Sequence, residues 1–203
     1  MDEVILIGYF NETAELCELC GCKIIGVVDS VKCQNYPFLG NDETFMQDYS
    51  QYINTPLVIT PDRPVIRERL FNIYSNLGFK FKTLISPHAM VSPSASISEG
   101  CMIQTLCNIS SDVKLGKCVR INTCANVMHD SYIGDFSIVA PNAVVLGRVN
   151  VGIKSYIGAN STLLPNLVVG NESIVGAGAV VTKNVLDKCA VAGVPAKILK
   201  EDI

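Results

Sequence analysis

From Val91 to Val181 every sixth residue is Val, Ile or Leu, sixteen positions in succession without a break. The series opens Val91, Ile97, Ile103, Ile109 and closes Leu163, Val169, Val175, Val181. A helix repeats every 3.6 residues or so and a strand every two, so neither produces a strict six. A hexapeptide period belongs to a parallel β-helix, in which three short flats make one triangular coil and each flat sends one aliphatic side chain inward. The position four residues further on is small or aliphatic throughout, as at Cys101, Cys107, Ala125, Ser131, Ser155 and Ala179. That second register suits a side chain tucked inside a tight coil. Eighteen residues make one coil, so the pattern predicts about five coils rising roughly 4.8 Å each.

The first 85 residues keep a different rhythm. Val4-Ile5-Leu6-Ile7-Gly8 reads as a short buried strand ending in glycine, and Asn11 as the N-cap of a helix reaching about Cys20, stopped by Gly21. Ile24 to Val28 is a second strand, ending in Asp29. Asp42 reads as the cap of a short helix near Glu43–Tyr49, and Leu57-Val58-Ile59 as a third strand. Pro64 starts a helix that runs to about Leu77 and closes at Gly78. Strand–helix–strand alternation predicts a small parallel α/β domain of Rossmann-like type over residues 1–85, with the all-β coil over 86–203 and Ile85-Ser86-Pro87-His88 as the joint.

Such sheets bind ligands at the carboxyl ends of their strands. Here that edge comprises Gly8-Tyr9-Phe10-Asn11, Asp29-Ser30 and Thr60-Pro61-Asp62-Arg63, with a helix N-terminus able to meet a phosphate. The dinucleotide fingerprint G-x-G-x-x-G is absent, which argues against NAD or FAD.

Composition narrows the field. The chain has 203 residues and a net charge of −3, with no Lys/Arg cluster, so nucleic acid is not expected as a partner. No apolar run reaches a membrane span, and Met1-Asp2-Glu3-Val4 lacks the basic flank of a signal peptide. Nine cysteines, an odd number, fit reduced thiols in a cytoplasmic protein. Cys17-x-x-Cys20-x-Cys22 reads as packing rather than a zinc or redox site, since no histidine lies near it and it closes a helix instead of opening one.

Two histidines exclude a three-histidine zinc centre within one chain, so no metal is expected. His88 falls at the joint and reads as structural. His129 falls near a corner of the coil, where residues eighteen apart stack: Ser111 below it and Gly147 above. A base beside a bare backbone N–H is the minimum equipment for acyl transfer, one removing a proton and the other holding the oxyanion. Asp130, next in sequence, can fix the tautomer of His129.

The run Asn122-Thr123-x-Ala125-x-Val127-x-His129-Asp130-x-x-Ile133-Gly134-Asp135-Phe136, followed by Val145-Leu146-Gly147 and Gly193-Val194-Pro195-Ala196-Lys197, resembles the hexapeptide-repeat acyltransferases. More narrowly it is similar to the two-domain sugar acetyltransferases that include the bacillosamine-pathway N-acetyltransferase and sialic acid O-acetyltransferases. The resemblance implies a left-handed β-helix and a homotrimer with active sites between neighbouring coils. It implies His129 as general base, Asp130 orienting it, Asn122 positioning the histidine or the acceptor, and the Gly147 amide on the thioester carbonyl. Acetyl-CoA would touch the turns at Ala159 and Ala177 and approach Lys197. Gly8, Asn11 and Asp29 would hold the nucleotide of a nucleotide-linked amino sugar. The chain departs from the pattern in two places: Gly8-Tyr9-Phe10-Asn11-Glu12-Thr13 replaces a glycine-rich turn, and Ile138 stands where a second histidine is common. O-acetylation of a sialic acid and a non-catalytic trimeric scaffold are the alternatives.

Overall fold

The computed structural model describes residues 2–203, which divide into two compact units with the boundary between Leu84 and Ile85. In the first unit, β1 (Asp2–Ile7), β2 (Cys22–Val28) and β3 (Leu57–Ile59) form a parallel sheet in the order β2-β1-β3. Val4 to Ile7, Val27, Val28 and all of β3 are buried, as expected of a parallel sheet covered by crossover helices. Helix α1 (Asn11–Leu19) links β1 to β2, and α3 (Pro64–Asn76) follows β3. The chain leaves the central β1 towards both sides, so the switch point of the sheet lies at the carboxyl end of β1, at Gly8.

Two helix starts differ from the sequence expectation. Phe10, not Asn11, is the N-cap of α1, with extended backbone and no side-chain cap. The Asn11 carboxamide oxygen instead accepts the Tyr9 hydroxyl. Asn41, not Asp42, caps α2 (Asp42–Phe45): Thr44 N donates to Asn41 Oδ1 at 2.9 Å and Asn41 N to Thr44 Oγ1 at 3.0 Å. This reciprocal pair satisfies two donors at once, which a lone Asp42 cannot do. Asp42 Oδ1 accepts the Tyr74 hydroxyl at 2.6 Å; burial first, and then that bond, push the Tyr74 phenol well above its ordinary range. The helix is also shorter than expected, giving way to a 3₁₀ turn at Tyr49–Tyr52.

The second unit is a parallel β-helix. Two-residue strands stack in register eighteen residues apart, Asn126 on Asn108 and Val144 on Asn126, and so on around three faces. The hexad residues from Ile103 to Val181 all point inward and are at most 2% exposed. Each such burial is worth roughly 1.5–3 kcal/mol, and the β-branched residues that dominate the column suit extended backbone. Corners recur every six residues in left-handed conformation, at Asp112, Cys118, Cys124, Asp130, Phe136, Asn142 and Arg148. The second inward register is lined by serines that repair the backbone at these corners. Ser155 Oγ donates to Gly170 O at 2.7 Å and accepts from Ser173 N at 3.2 Å. Beyond Val181 the coil ends in the antiparallel pair Ala190–Ala192 and Lys197–Lys200.

Candidate active site

The three corners of the coil are chemically unequal, and the residue stacked one coil above decides how. At the corner carrying Lys117, Asp135, Ile153 and Asn171, a side chain from the next coil caps three of the four amides, Asp135 being the exception because Ile153 above it has no acceptor. Lys117 N donates to Asp135 Oδ1 at 2.8 Å, Ile153 N to Asn171 Oδ1 at 2.9 Å and Asn171 N to Asp187 Oδ1 at 2.7 Å. The corner carrying Ser111, His129, Gly147 and Pro165 is different. Pro165 stacks above Gly147 and offers no acceptor, while Pro93 and Pro165 in the same column show that the coil draws on no N–H at this position. The third corner carries Pro141, Ala159 and Ala177, where an alanine methyl likewise caps nothing. Two corners therefore present uncapped amides and one is closed at all but Asp135.

His129 lies on the open corner. Arg148 N donates to its carbonyl at 2.9 Å and Asp130 N to Ser111 O at 3.0 Å, which pins the turn to the coils above and below. Asp130 takes the left-handed corner conformation, with φ of 60°, which Asp tolerates better than most residues. Its Oδ2 stands 2.7 Å from His129 Nδ1. Both side chains are about half exposed, 45% and 52%, and an exposed pair of this kind adds only ~0–1 kcal/mol to stability. Its consequence is orientation. Nδ1 is engaged by the carboxylate, and Nε2, the nitrogen that carries the lone pair when a neutral ring donates from Nδ1, faces Gly147. A Cβ on Gly147 would lie 2.6 Å from Nε2, so only glycine permits this approach.

Within one chain the other coil residues lie elsewhere. Ala159 and Ala177 belong to the third corner, separated from His129 by a whole face. Asn122 precedes Thr123 on that same corner, is 8% exposed, and its Oδ1 accepts Arg120 Nε at 2.8 Å. Lys197 is exposed on the terminal strand. One copy thus unites His129, Asp130 and Gly147, but not Asn122, Ala159, Ala177 or Lys197. Pro165 was not singled out from the sequence, although its place eighteen residues after Gly147 is the signal that the amide stays uncapped.

In the first unit, Gly8 and Asp29 line a cavity of about 430 Å³ with Ser30, Asn41, Pro61 and Arg69 among its walls. A second, of about 370 Å³, shares Gly8, Asp29 and Pro61 and adds Tyr9, Phe10 and Asp62. Gly8 has φ of +85°, and a Cβ there would lie 2.6 Å from Thr60 Oγ1, so the residue is required twice over. Asp29 braces the edge: Oδ2 accepts Tyr9 N at 2.7 Å, and Oδ1 accepts Val31 N at 3.2 Å. These contacts use Asp29 to hold the turn that stands in place of a glycine-rich loop. Cys17 is buried, and desolvation pushes its thiol up to about 12, which keeps it protonated and inert. Among the described residues no group of three His, Cys, Asp or Glu side chains is arranged to hold a metal ion, and no helix is long and apolar enough to cross a membrane.

No protein-family model matches the chain. Among solved structures it is similar to PerB from Caulobacter crescentus in complex with CoA and GDP-perosamine, at 29% identity over 98% of each chain and a TM-score of 0.92. Other structures of the perosamine N-acetyltransferase from that organism carry a histidine replaced by alanine or asparagine. The acetyltransferase domain of PglB from Neisseria gonorrhoeae is 27% identical over 98% of this chain and 100% of that one, with a TM-score of 0.90. WeeI from Acinetobacter baumannii is 25% identical over 98% and 100%, with a TM-score of 0.83.

Proposed function

We propose, from the premise that the chain is a hexapeptide-repeat sugar acetyltransferase using acetyl-CoA, that it N-acetylates the amino group of a nucleotide-linked deoxy amino sugar. The observation that carries the reading is the His129 imidazole, oriented by Asp130 and set against the uncapped backbone at Gly147. The amine loses its proton to His129 Nε2 as its nitrogen attacks the thioester carbonyl. The Gly147 amide holds the oxyanion, and collapse expels the CoA thiolate. No covalent enzyme intermediate is invoked, because among the described residues no thiol or hydroxyl is paired with the imidazole as a nucleophile.

The β-helix, read as left-handed, works as a homotrimer. The division of residues between corners supports this: a neighbour's Asn122, Ala159 and Ala177 corner can face His129, whereas the same chain's cannot. The exposed Tyr132, Val168 and Ile174 on the coil surface also fit covering by another copy. The uncapped amides at Ala159 and Ala177 suit the amide-bearing arm of CoA, and Lys197 its phosphates. Gly8 and Asp29, which line both cavities at the switch-point edge, and Asn11, which lines neither, would hold the nucleotide in the Rossmann-like unit. Nine cysteines, none of them in a disulfide among the described residues, suit work in the cytoplasm.

The test is acetyl transfer from acetyl-CoA to a panel of nucleotide-linked amino sugars, with free sialic acids as the hydroxyl alternative. His129→Ala is expected to lower turnover by a factor of roughly 100 to 10,000 without unfolding the protein. A folded variant that keeps most of its rate would remove His129 from the mechanism.

A further inference from the structure

Arg148 follows Gly147 on the catalytic corner and holds left-handed backbone, with φ of 60°. Asp112, Asp130 and Asn166, stacked with it eighteen residues apart, share that conformation at 57°, 60° and 63°. Asp and Asn tolerate it and arginine has no such ease, so the backbone supplies no reason for an arginine here. The residue is tied to the catalytic turn, since its amide donates to His129 O at 2.9 Å. Its Nε donates to Asn166 Oδ1 at 2.7 Å, which directs the guanidinium to the coil above rather than down onto Asp130. Among the described residues its Nη groups make no hydrogen bond. Within the stacked turns 110–112, 128–130, 146–148 and 164–166 it is the only lysine or arginine. One oriented guanidinium, with most of its donors unspent, therefore stands next to Gly147, one coil or roughly 5 Å above the His129 turn.

We propose that Arg148 is a further catalytic residue, whose guanidinium stabilises the CoA thiolate as it departs. This rests on the acyl-transfer reading above. On attack, the amine proton passes to His129 Nε2 and the carbonyl oxygen takes its charge against the Gly147 amide. Collapse breaks the carbon–sulfur bond and leaves the electron pair on sulfur. An alkyl thiol has a pKa of about 8.5, as cysteine does, so its thiolate leaves more readily when its charge is met. Neither group already assigned can meet it, because the amide holds the oxygen and the imidazole holds a proton. The sulfur is bonded to the carbon whose oxygen Gly147 holds, which puts the next residue's Nη–H groups at hand to donate to it. The proton on His129 then passes to the thiolate, which restores the base.

The experiment takes two readings on wild type, Arg148→Met, Arg148→Lys and Asn166→Ala. One is the single-turnover rate of acetyl transfer to a nucleotide-linked amino sugar. The other is the ionisation of the thiol of bound CoA, followed by thiolate absorbance against a desulfo-CoA blank. Methionine keeps the unbranched stem and removes the charge. Arg148→Met is expected to slow transfer about tenfold, less than the loss of a buried oxyanion donor because Arg148 is exposed, with the acetyl-CoA KM within about twofold of wild type. A cation favours the anionic form, so the ionisation constant of the bound thiol should fall about tenfold in the same variant. Arg148→Lys should stay within about threefold of wild type in both readings. Asn166→Ala leaves the arginine present but unheld, should lose about threefold in each, and keeps the test open if Arg148→Met does not fold. An unchanged rate, a slower rate with unchanged thiol ionisation, or a change confined to the acetyl-CoA KM would overturn the thiolate role and leave the acetyltransferase reading standing. Failure of wild type to acetylate any amino sugar would overturn both.

Discussion

Gly147 owes its identity to the imidazole beneath it, since its φ lies outside the left-handed region and an alanine backbone would be unstrained there. Gly147→Ala should accordingly fold with a nearly unchanged melting temperature. Its methyl must displace the His129 ring, and misplacement by about an ångström costs up to roughly a hundredfold in rate. Steady-state kinetics beside a melting curve check this; a variant with wild-type kcat would mean that the ring swings aside at no cost. This pair was legible in the sequence, because an unbroken period turns residue number into spatial address. Asn11 was not. Its cap role was read from residue type, but the Tyr9 hydroxyl occupies its oxygen, and that partner comes from the preceding turn's geometry. Asn122 was legible as a polar corner residue, yet nothing local shows that its oxygen answers Arg120.

At the scale of the coil, the inward serines are part of the backbone's hydrogen bonding. Ser137, Ser155 and Ser173 stack eighteen apart, each buried, each hydroxyl accepting the amide of the residue above. Ser155→Ala would orphan the Ser173 amide and the bond to Gly170 O, and should cost roughly 1–3 kcal/mol. Chemical denaturation reads this directly; a midpoint equal to wild type would show that neither group depends on the hydroxyl. The sequence disclosed that this register is small, because volume leaves a trace in residue type. It did not disclose that serine, unlike alanine, satisfies backbone donors here, since both residues fit the same space. The α/β unit reads similarly. Its strands and helices were visible from alternation, while the caps at Phe10 and Asn41 lay one residue away from those inferred, because capping depends on one turn's backbone angles.

At the scale of the whole molecule, a single chain holds its proposed site residues on two different corners. Two defective variants, His129→Ala and Asn122→Ala, should therefore complement one another when co-expressed. Random assembly into cyclic trimers would restore about a quarter of the sites, each taking its histidine from one copy and its asparagine from the next. Size-exclusion chromatography and activity of the mixture test this; activity no greater than the sum of the separate variants would place Asn122 outside the site. The uninterrupted register carries one more consequence. No loop interrupts the hexads between Val91 and Val181, so the coil behaves as a ruler graduated in eighteens. Insertion or loss of eighteen residues shifts everything beyond it by one graduation and leaves every corner in phase. A change of six rotates all later corners by a third of a turn, carrying the closed corner to where an open one stood. Length along this molecule is therefore free to drift only in whole coils, and a thioester lying along the open amides would have its reach measured in the same units.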